Sequence, residues 1–323
     1  MKQKNKTTLW TSTNTETGKT IDIVTYGDET IGSVKKTYNR TPKQISFLNK
    51  QKELKYTCNE LGGYIHMFYI KNELLFNDIG LNPPTVARVV YLATYIDYNN
   101  RESNLLVKYG KHNKIEAMSK KDIKNIMKLN NETFKKFFKE IKDKNILIEF
   151  NNKFYINDIY FTKGTTKCTE DESRINKDYT RVFIDTVRDI YLGSQTKQHK
   201  YLGYVFQIIP WINYNRNIVC YNPEERNFEY IKLMGLKDIC NLLGINSDGG
   251  NAKKIERQLL NIKVTISGKE YHMFRRIVNI GATENTTFDY FVVNPAIVWR
   301  GNEIDEFKDS LKGLSFRHDY INN

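Results

Sequence analysis

Cysteine is scarce in this chain and never paired. The four present, Cys58, Cys168, Cys220 and Cys240, stand far apart with no C-x-x-C. Neither a zinc site nor a disulfide framework is suggested, and free thiols in a reducing compartment are expected. The five histidines, His66, His112, His199, His272 and His318, are each isolated. A nuclease of the rolling-circle kind would need a His-x-His metal pair with a nearby tyrosine, which isolated histidines do not supply. Gly18-Lys19-Thr20 looks like the end of a phosphate loop, yet Thr13 stands where the first glycine belongs and no strand-and-helix pair is read around it, which argues against an ATPase. No run approaches the roughly 18 apolar residues of a membrane helix, and MKQKNKTTLW has no apolar core after its lysines. The expectation is a soluble, cytoplasmic protein that is not an enzyme and uses no cofactor or metal.

Positive charge is what the chain has in excess. Fifty Lys and Arg stand against 37 Asp and Glu, a formal net charge of +13. The excess is spread through aromatic-rich sequence rather than gathered in one run, and it favours a polyanionic partner, nucleic acid or an anionic membrane surface. Residues 1–63, 64–164 and 179–301 are each basic, whereas 165–178 and 302–323 are not.

The second half of the chain repeats the first. Moved forward by 116 positions, IEAMSKKDIKNIMKLN (115–130) falls without a gap on IKLMGLKDICNLLGIN (231–246), with Ile115/Ile231, Met118/Met234, Lys121/Lys237, Asp122/Asp238, Ile123/Ile239, Asn125/Asn241 and Asn130/Asn246 identical. The same shift pairs Val89 with Val205, Ile96 with Ile212 and Tyr98 with Tyr214, while FYINDIYFTKG (154–164) matches FVVNPAIVWRG (291–301) after a longer insertion. A duplicated module implies a function that needs two copies. The organisation expected is a basic, partly flexible arm (1–63), a first domain (64–164), a polar linker (165–178) with an acidic run at Glu170-Asp171-Glu172, a second domain (179–301) and a tail (302–323).

Within the first module, Val86, Val89, Val90, Ala93 and Ile96 recur at helical spacing after Pro83-Pro84, a core helix. Ser119 stands three residues before Asp122, the start of a short helix carrying Ile123, Ile126 and Met127. After the turn Leu129-Asn130-Asn131, a helix over about 132–143 buries Phe134, Phe137 or Phe138, and Ile141. ILIEF, Asn151-Asn152 and KFYI then read as a tight hairpin. The second copy repeats the plan, with Pro210 bending or ending its core helix. Its turn NSDGGN is lengthened by two residues, and its hairpin is longer, with strands at VTIS and YHMFRRIV around Gly268-Lys269. Helix, helix, turn, helix and hairpin is the order of a winged helix. The fold class expected is therefore mainly α with small β wings (α+β), as two tandem winged-helix domains.

A winged helix sets the second helix of its helix-turn-helix in the major groove, with first-turn residues at base edges and nearby cations on phosphates. That assigns to DNA Lys120, Lys121, Asn130, Asn131, Thr133, Lys135, Lys136 and Lys139, with Asn152 and Lys153 on the hairpin. The second module contributes Ser247, Asn251, Lys253, Lys254 and Arg257, with Lys269, Arg275 and Arg276 on its wing. Asn can read adenine through paired hydrogen bonds, and Lys can read guanine or hold phosphate. If each domain occupies its own groove, half-site centres lie about 10 bp, or a multiple of that, apart.

The stretch MSKKDIKNIMKLNNETFKKFFKEIKDKNILIEFNNKFYINDIYFTKG resembles bacterial winged-helix proteins of the MarR and RepL kind. Its close, aromatic-x-Ile-Asn before Lys163-Gly164, looks like the end of RepL-type plasmid replication proteins of Gram-positive bacteria. Two such modules with a basic arm are also similar in architecture to theta-type initiators of iteron plasmids. The resemblance implies a plasmid or phage replication initiator that binds double-stranded origin repeats and recruits a host helicase or DnaA. Two alternatives stay open: a transcriptional repressor whose modules act as a covalent pseudo-dimer, and a scaffold whose charge is incidental. Self-association is also left open.

Overall fold

The computed structural model describes residues 6–13, 19–26, 29–38, 40–70, 73–74, 79–98, 104–110, 114–164, 178–266, 269–280 and 287–313, with side chains from residue 40 onward except at 70, 73–74, 264–266, 269, 279–280, 287–288 and 311–313. The expected linker lies outside them apart from Asp178, as do Gly268 and the tail beyond 313. Among the described residues no helix is long and apolar enough to cross a membrane.

The architecture is mixed α/β, with more strand than small wings would supply. The chain divides into two units, Met1–Tyr56 and Thr57–Asn323. The first, expected as a partly flexible arm, carries regular secondary structure. Threonine, isoleucine, valine and tyrosine suit extended backbone, and here they form an antiparallel meander of β1 (Lys6–Thr13), β2 (Lys19–Tyr26) and β3 (Glu29–Tyr38). Lys19 and Thr20 thus begin a central strand. Helix α1 (Pro42–Glu60) follows. Pro42 sits in its first turn, and Thr41 and Gln44 cap each other's backbone N–H at 3.3 and 2.9 Å, a reciprocal box that satisfies two otherwise orphaned donors.

The second unit is built on a sheet of strands contributed by both sequence repeats. The inner strands, β4 (Tyr64–Ile70) and β11 (Asp178–Phe183), pair antiparallel with His66 opposite Arg181. Outside β4 lies β10 (Phe161–Thr162), with Phe161 opposite Met67; outside β11 lies β16 (Val298–Trp299), with Val298 opposite Val182. The short strand β5 (Glu73–Leu74) also pairs with β4.

Under this sheet order two equivalent helices meet. Helix α2 (Pro83–Ala93) begins where the Asn82 side chain accepts the Thr85 N–H at 3.0 Å. Every residue from Thr85 to Ala93 is buried, so α2 has no solvent face and needs cover all round. Part of that cover is α6 (His199–Ile208), which starts 116 positions after α2. Gly203 is the point of closest approach: a Cβ there would stand 1.8 Å from the Pro83 carbonyl oxygen. As its missing N–H requires, Pro210 ends α6 at Ile208 and the chain passes into a 3-10 turn, Ile209–Trp211. Helix α5 (Ile184–Gly193) precedes α6.

In the first repeat β6 (Val107–Tyr109) and β7 (Ile115–Ala117) lead to α3 (Lys120–Met127), α4 (Asn131–Asp143) and the hairpin β8 (Leu147–Phe150) and β9 (Lys153–Ile156). Phe137 and Phe138 are both buried, with Phe134 and Ile141. Asn151 and Asn152 both take positive φ, 48° and 58°, which a two-residue turn matching strand twist demands. The second repeat follows with α7 (Leu236–Leu242) and α8 (Asn251–Leu260). Where one long hairpin was expected as its wing there are two hairpins: β12 (Lys263–Ile266) with β13 (Lys269–His272), then β14 (Phe274–Ile280) with β15 (Thr287–Val293). The break falls at Met273, which is fully buried and gives its N–H to Ile262 at 2.8 Å, leaving the strand ladder. Helix α9 (Ile304–Gly313) lays Phe307 against Trp299.

The two repeats do not have separate interiors. Ile65, Val89, Ile123 and Phe137 belong to the same buried cluster as Val205, Ile239, Leu259 and Phe274. Residues 64–164 and 179–301 are therefore halves of one packed body.

Candidate nucleic-acid interface

Each repeat places a short, capped helix before an exposed basic one. At the start of α3, Ser119 Oγ accepts the Asp122 N–H at 3.2 Å while Asp122 accepts the Ser119 N–H at 2.9 Å. Lys108 from β6 holds the other oxygen of the same carboxylate at 2.8 Å. Asp238 repeats the motif, accepting the Gly235 N–H at 2.8 Å. Burial pushes the Asp122 carboxyl upward, but the hydrogen bonds from Lys108 and Ser119 outweigh it together and hold the group at about 2. A carboxylate depressed in the folded state adds stability that is present above its unfolded value, near 3.8, and is lost as pH falls through about 2. Asp122→Asn should therefore cost about 1 kcal/mol at neutral pH and only a fraction of that near pH 2. Denaturant titrations at the two pH values check this, and an equal loss at both would refute it.

The other end of α3 is held by two tyrosines, one from each repeat, that sequence reasoning did not single out. Tyr91 and Tyr191 stack with ring centroids 3.8 Å apart. Their hydroxyls donate to the carbonyls of Ile126 and Met127, each at 3.1 Å, which are among the helix-end acceptors that have no partner within the helix. Lys128 then turns left-handed (φ 48°) and buried Leu129 leads into α4.

Asn130 caps α4: its side-chain oxygen accepts the Thr133 N–H at 2.8 Å. That oxygen is committed to the helix, so a paired readout of adenine is not open to it. Asn131, Lys135, Lys136 and Lys139 are exposed and Thr133 is half-buried. Lys136 pairs with Glu132 at 2.7 Å, both side chains more than three-quarters exposed. Lys121 is exposed, and Lys120 lies over the Phe138 ring at 4.6 Å. On the hairpin Asn152 is exposed and Lys153 half-buried.

Helix α8 carries the same set of cations in the same places. Its buried residues Ala252, Ile255, Glu256 and Leu259 each lie 118 positions after Phe134, Phe137, Phe138 and Ile141 of α4. That register puts Lys253 with Lys135, Lys254 with Lys136, Arg257 with Lys139 and Asn251 with Thr133, all exposed on α8. Ser247 stays half-buried in the turn before it. The extra residues of that turn include Gly249 and Gly250, whose positive φ values of 58° and 79° suit glycine.

In the hairpins after α8 the structure departs from expectation at Arg276. Its guanidinium binds Glu256 of α8 at 2.9 Å and also Asp289 of β15. Two carboxylates thus take the side chain expected to face phosphate, and they tie the β14–β15 ribbon to α8. Arg275 is half-buried, and burial pulls its guanidinium down from the ordinary value. It lines a cleft of about 450 Å³ beside α8 with Lys253, Arg257 and His272. Lys269 lies on β13, and only its backbone is described.

Comparison of the chain with family models, curated proteins and solved structures finds no match.

Proposed function

We propose that this protein binds double-stranded DNA in a sequence-specific way through two winged helices, and acts as a plasmid or phage replication initiator. In this reading α3–α4 and α7–α8 are the two helix-turn-helix units, and β8–β9 and the hairpins after α8 are their wings. One observation carries it: two helices in equivalent positions expose matching cations, Lys135, Lys136 and Lys139 on α4 and Lys253, Lys254 and Arg257 on α8. These cations stand on the one helix per repeat that a winged helix presents to a groove. The cations hold phosphates, and Asn131, Thr133 and Asn251 in the first turns meet base edges. Initiation is favoured over repression by the likeness of residues 119–164 to RepL-type proteins. Opening of an origin is then the work of recruited host proteins, a helicase or DnaA.

Replacing Lys135, Lys136 and Lys139 with alanine should weaken binding and flatten the dependence of log K on log salt by about 0.9 for each phosphate no longer neutralised. Helix α4 should still fold, because Phe134, Phe137, Phe138 and Ile141 are untouched. The same triple variant should no longer support replication, in trans, of a small plasmid carrying the cognate sites. An unchanged affinity and salt slope would mean that α4 faces solvent or protein. Silencing of a promoter from those sites, with no replication by the unaltered chain, would make the protein a repressor.

A further inference from the structure

The repeats are joined by pairings that turn back on themselves. Upstream of the 116-position match the offset is 115: YIHMFYIKNELLF (64–76) falls on YTRVFIDTVRDIY (179–191), which makes Phe68 the counterpart of Phe183 and Phe76 of Tyr191, and hence His66 of Arg181 and Met67 of Val182. His66 and Arg181 are also direct partners across β4 and β11. The outer strands follow the same rule. Phe161 and Thr162 are counterparts of Val298 and Trp299; Phe161 lies opposite Met67 and Val298 opposite Val182, while Thr162 lies opposite His66 and Trp299 opposite Arg181. Each of these pairings in one half has its image in the other, and α2 packs on its own counterpart α6. Such reciprocity is the mark of a twofold, isologous arrangement; repeats related by translation along a line would meet head to tail.

We infer that the DNA site of this protein is an imperfect inverted repeat centred on the internal twofold that passes between His66 and Arg181. The inference rests on the DNA-binding reading above. A protein twofold that coincides with a twofold of the duplex sets its two reading helices on opposite strands in the same 5′ to 3′ sense, so that the half-sites run toward each other. Matching cations on α4 and α8 give both halves the same hold on phosphate. The first turns differ: in the register of the buried faces, Asn131 of α4 corresponds to Gly249 and Thr133 to Asn251. Base preferences therefore diverge between halves that are otherwise alike.

The test is a selection of duplexes from a random-sequence pool of about 30 bp, near three helical turns, by the full chain at moderate salt. Binding is then compared for the selected duplex and for versions with one half-site reversed in place. Two related but unequal half-sites in inverted orientation are expected, and reversing either should weaken binding by about tenfold or more, as several mismatched base pairs would. Asn131→Ala should blur the base preference of one half only and leave the salt dependence unchanged. Half-sites in direct orientation, a single half-site, or indifference to reversal would overturn the twofold assignment and leave DNA binding standing. Failure to enrich any duplex would remove the DNA reading and this inference with it.

Discussion

Separating the chain into halves between Gly164 and Asp178 should leave neither half folded. Residues 57–164 alone keep β4 without β11, and keep α2, buried from Thr85 to Ala93, without α6. The complementary half is stripped of the reciprocal partners. Net stability of a folded unit is only about 5–15 kcal/mol, and each large apolar side chain laid open forfeits about 1.5–3 kcal/mol. Laying open Val86, Val89, Val90 and Leu92 in one fragment and Val205 and Phe206 in the other, all with essentially no solvent exposure in the whole chain, removes about 3 kcal/mol or more from each. Each fragment should show no cooperative thermal transition, whereas the two expressed together should recover one. Sigmoidal melts from both isolated fragments would mean that the repeats are independent domains after all.

Gly203→Ala should be among the most damaging single substitutions available. The added methyl would stand 1.8 Å from the carbonyl oxygen of Pro83 and 2.4 Å from its carbon. Both are backbone atoms at the start of α2, so no side chain can swing aside, and α2 and α6 must part. Overpacking of this kind costs about 3 kcal/mol or more, equivalent to a fall in Tm of about 6–12 °C for a unit of this size. Gly193, at the end of α5, is the control: nothing lies within 4 Å of a Cβ there, and alanine should be neutral or slightly stabilising because it restricts the unfolded chain. A Gly203→Ala protein that melts with the Gly193→Ala protein would show that the helices do not cross this closely.

The elements nearest the proposed reading surface are the most legible in the sequence. Ser119 and Asp122, the spacing of Ile123 and Met127, the spacing of Phe134, Phe137, Phe138 and Ile141, and the Asn151-Asn152 turn each rest on short-range physics, and the structure has them where that physics puts them. Strand β4 is not legible, because YIHMFYI is buried on both faces from Ile65 to Tyr69 and offers no alternation. Helix α1 carries a readable signal in Thr41-Pro42-Lys43-Gln44. It is hidden by a helix that buries only Leu54 and Cys58 and so shows no apolar stripe. The joined interior is not legible either, since a hydrophobic helix does not say which repeat covers it.

At the site, local and distant causes separate in the same way. Asn130, expected at base edges, in fact caps α4; asparagine serves both purposes, and sequence alone does not divide them. Arg276, expected on phosphate, finds its partners in Glu256 and Asp289, which lie 20 and 13 residues away. The correspondence of Lys135, Lys136 and Lys139 with Lys253, Lys254 and Arg257 is masked by the lengthened turn, and only the buried faces of the two helices restore the register.

Two separate subunits bound about a twofold have no head or tail, and whatever they recruit can arrive from either side. Fusion into one chain removes that equivalence. A tight, asparagine-capped turn before α4 stands against a glycine turn before α8, and a hairpin of four-residue strands stands against a ribbon clamped by Arg276. On the proposed reading, such a chain seated on an unequal site would have a direction along the DNA and would present one particular flank to whatever it recruits.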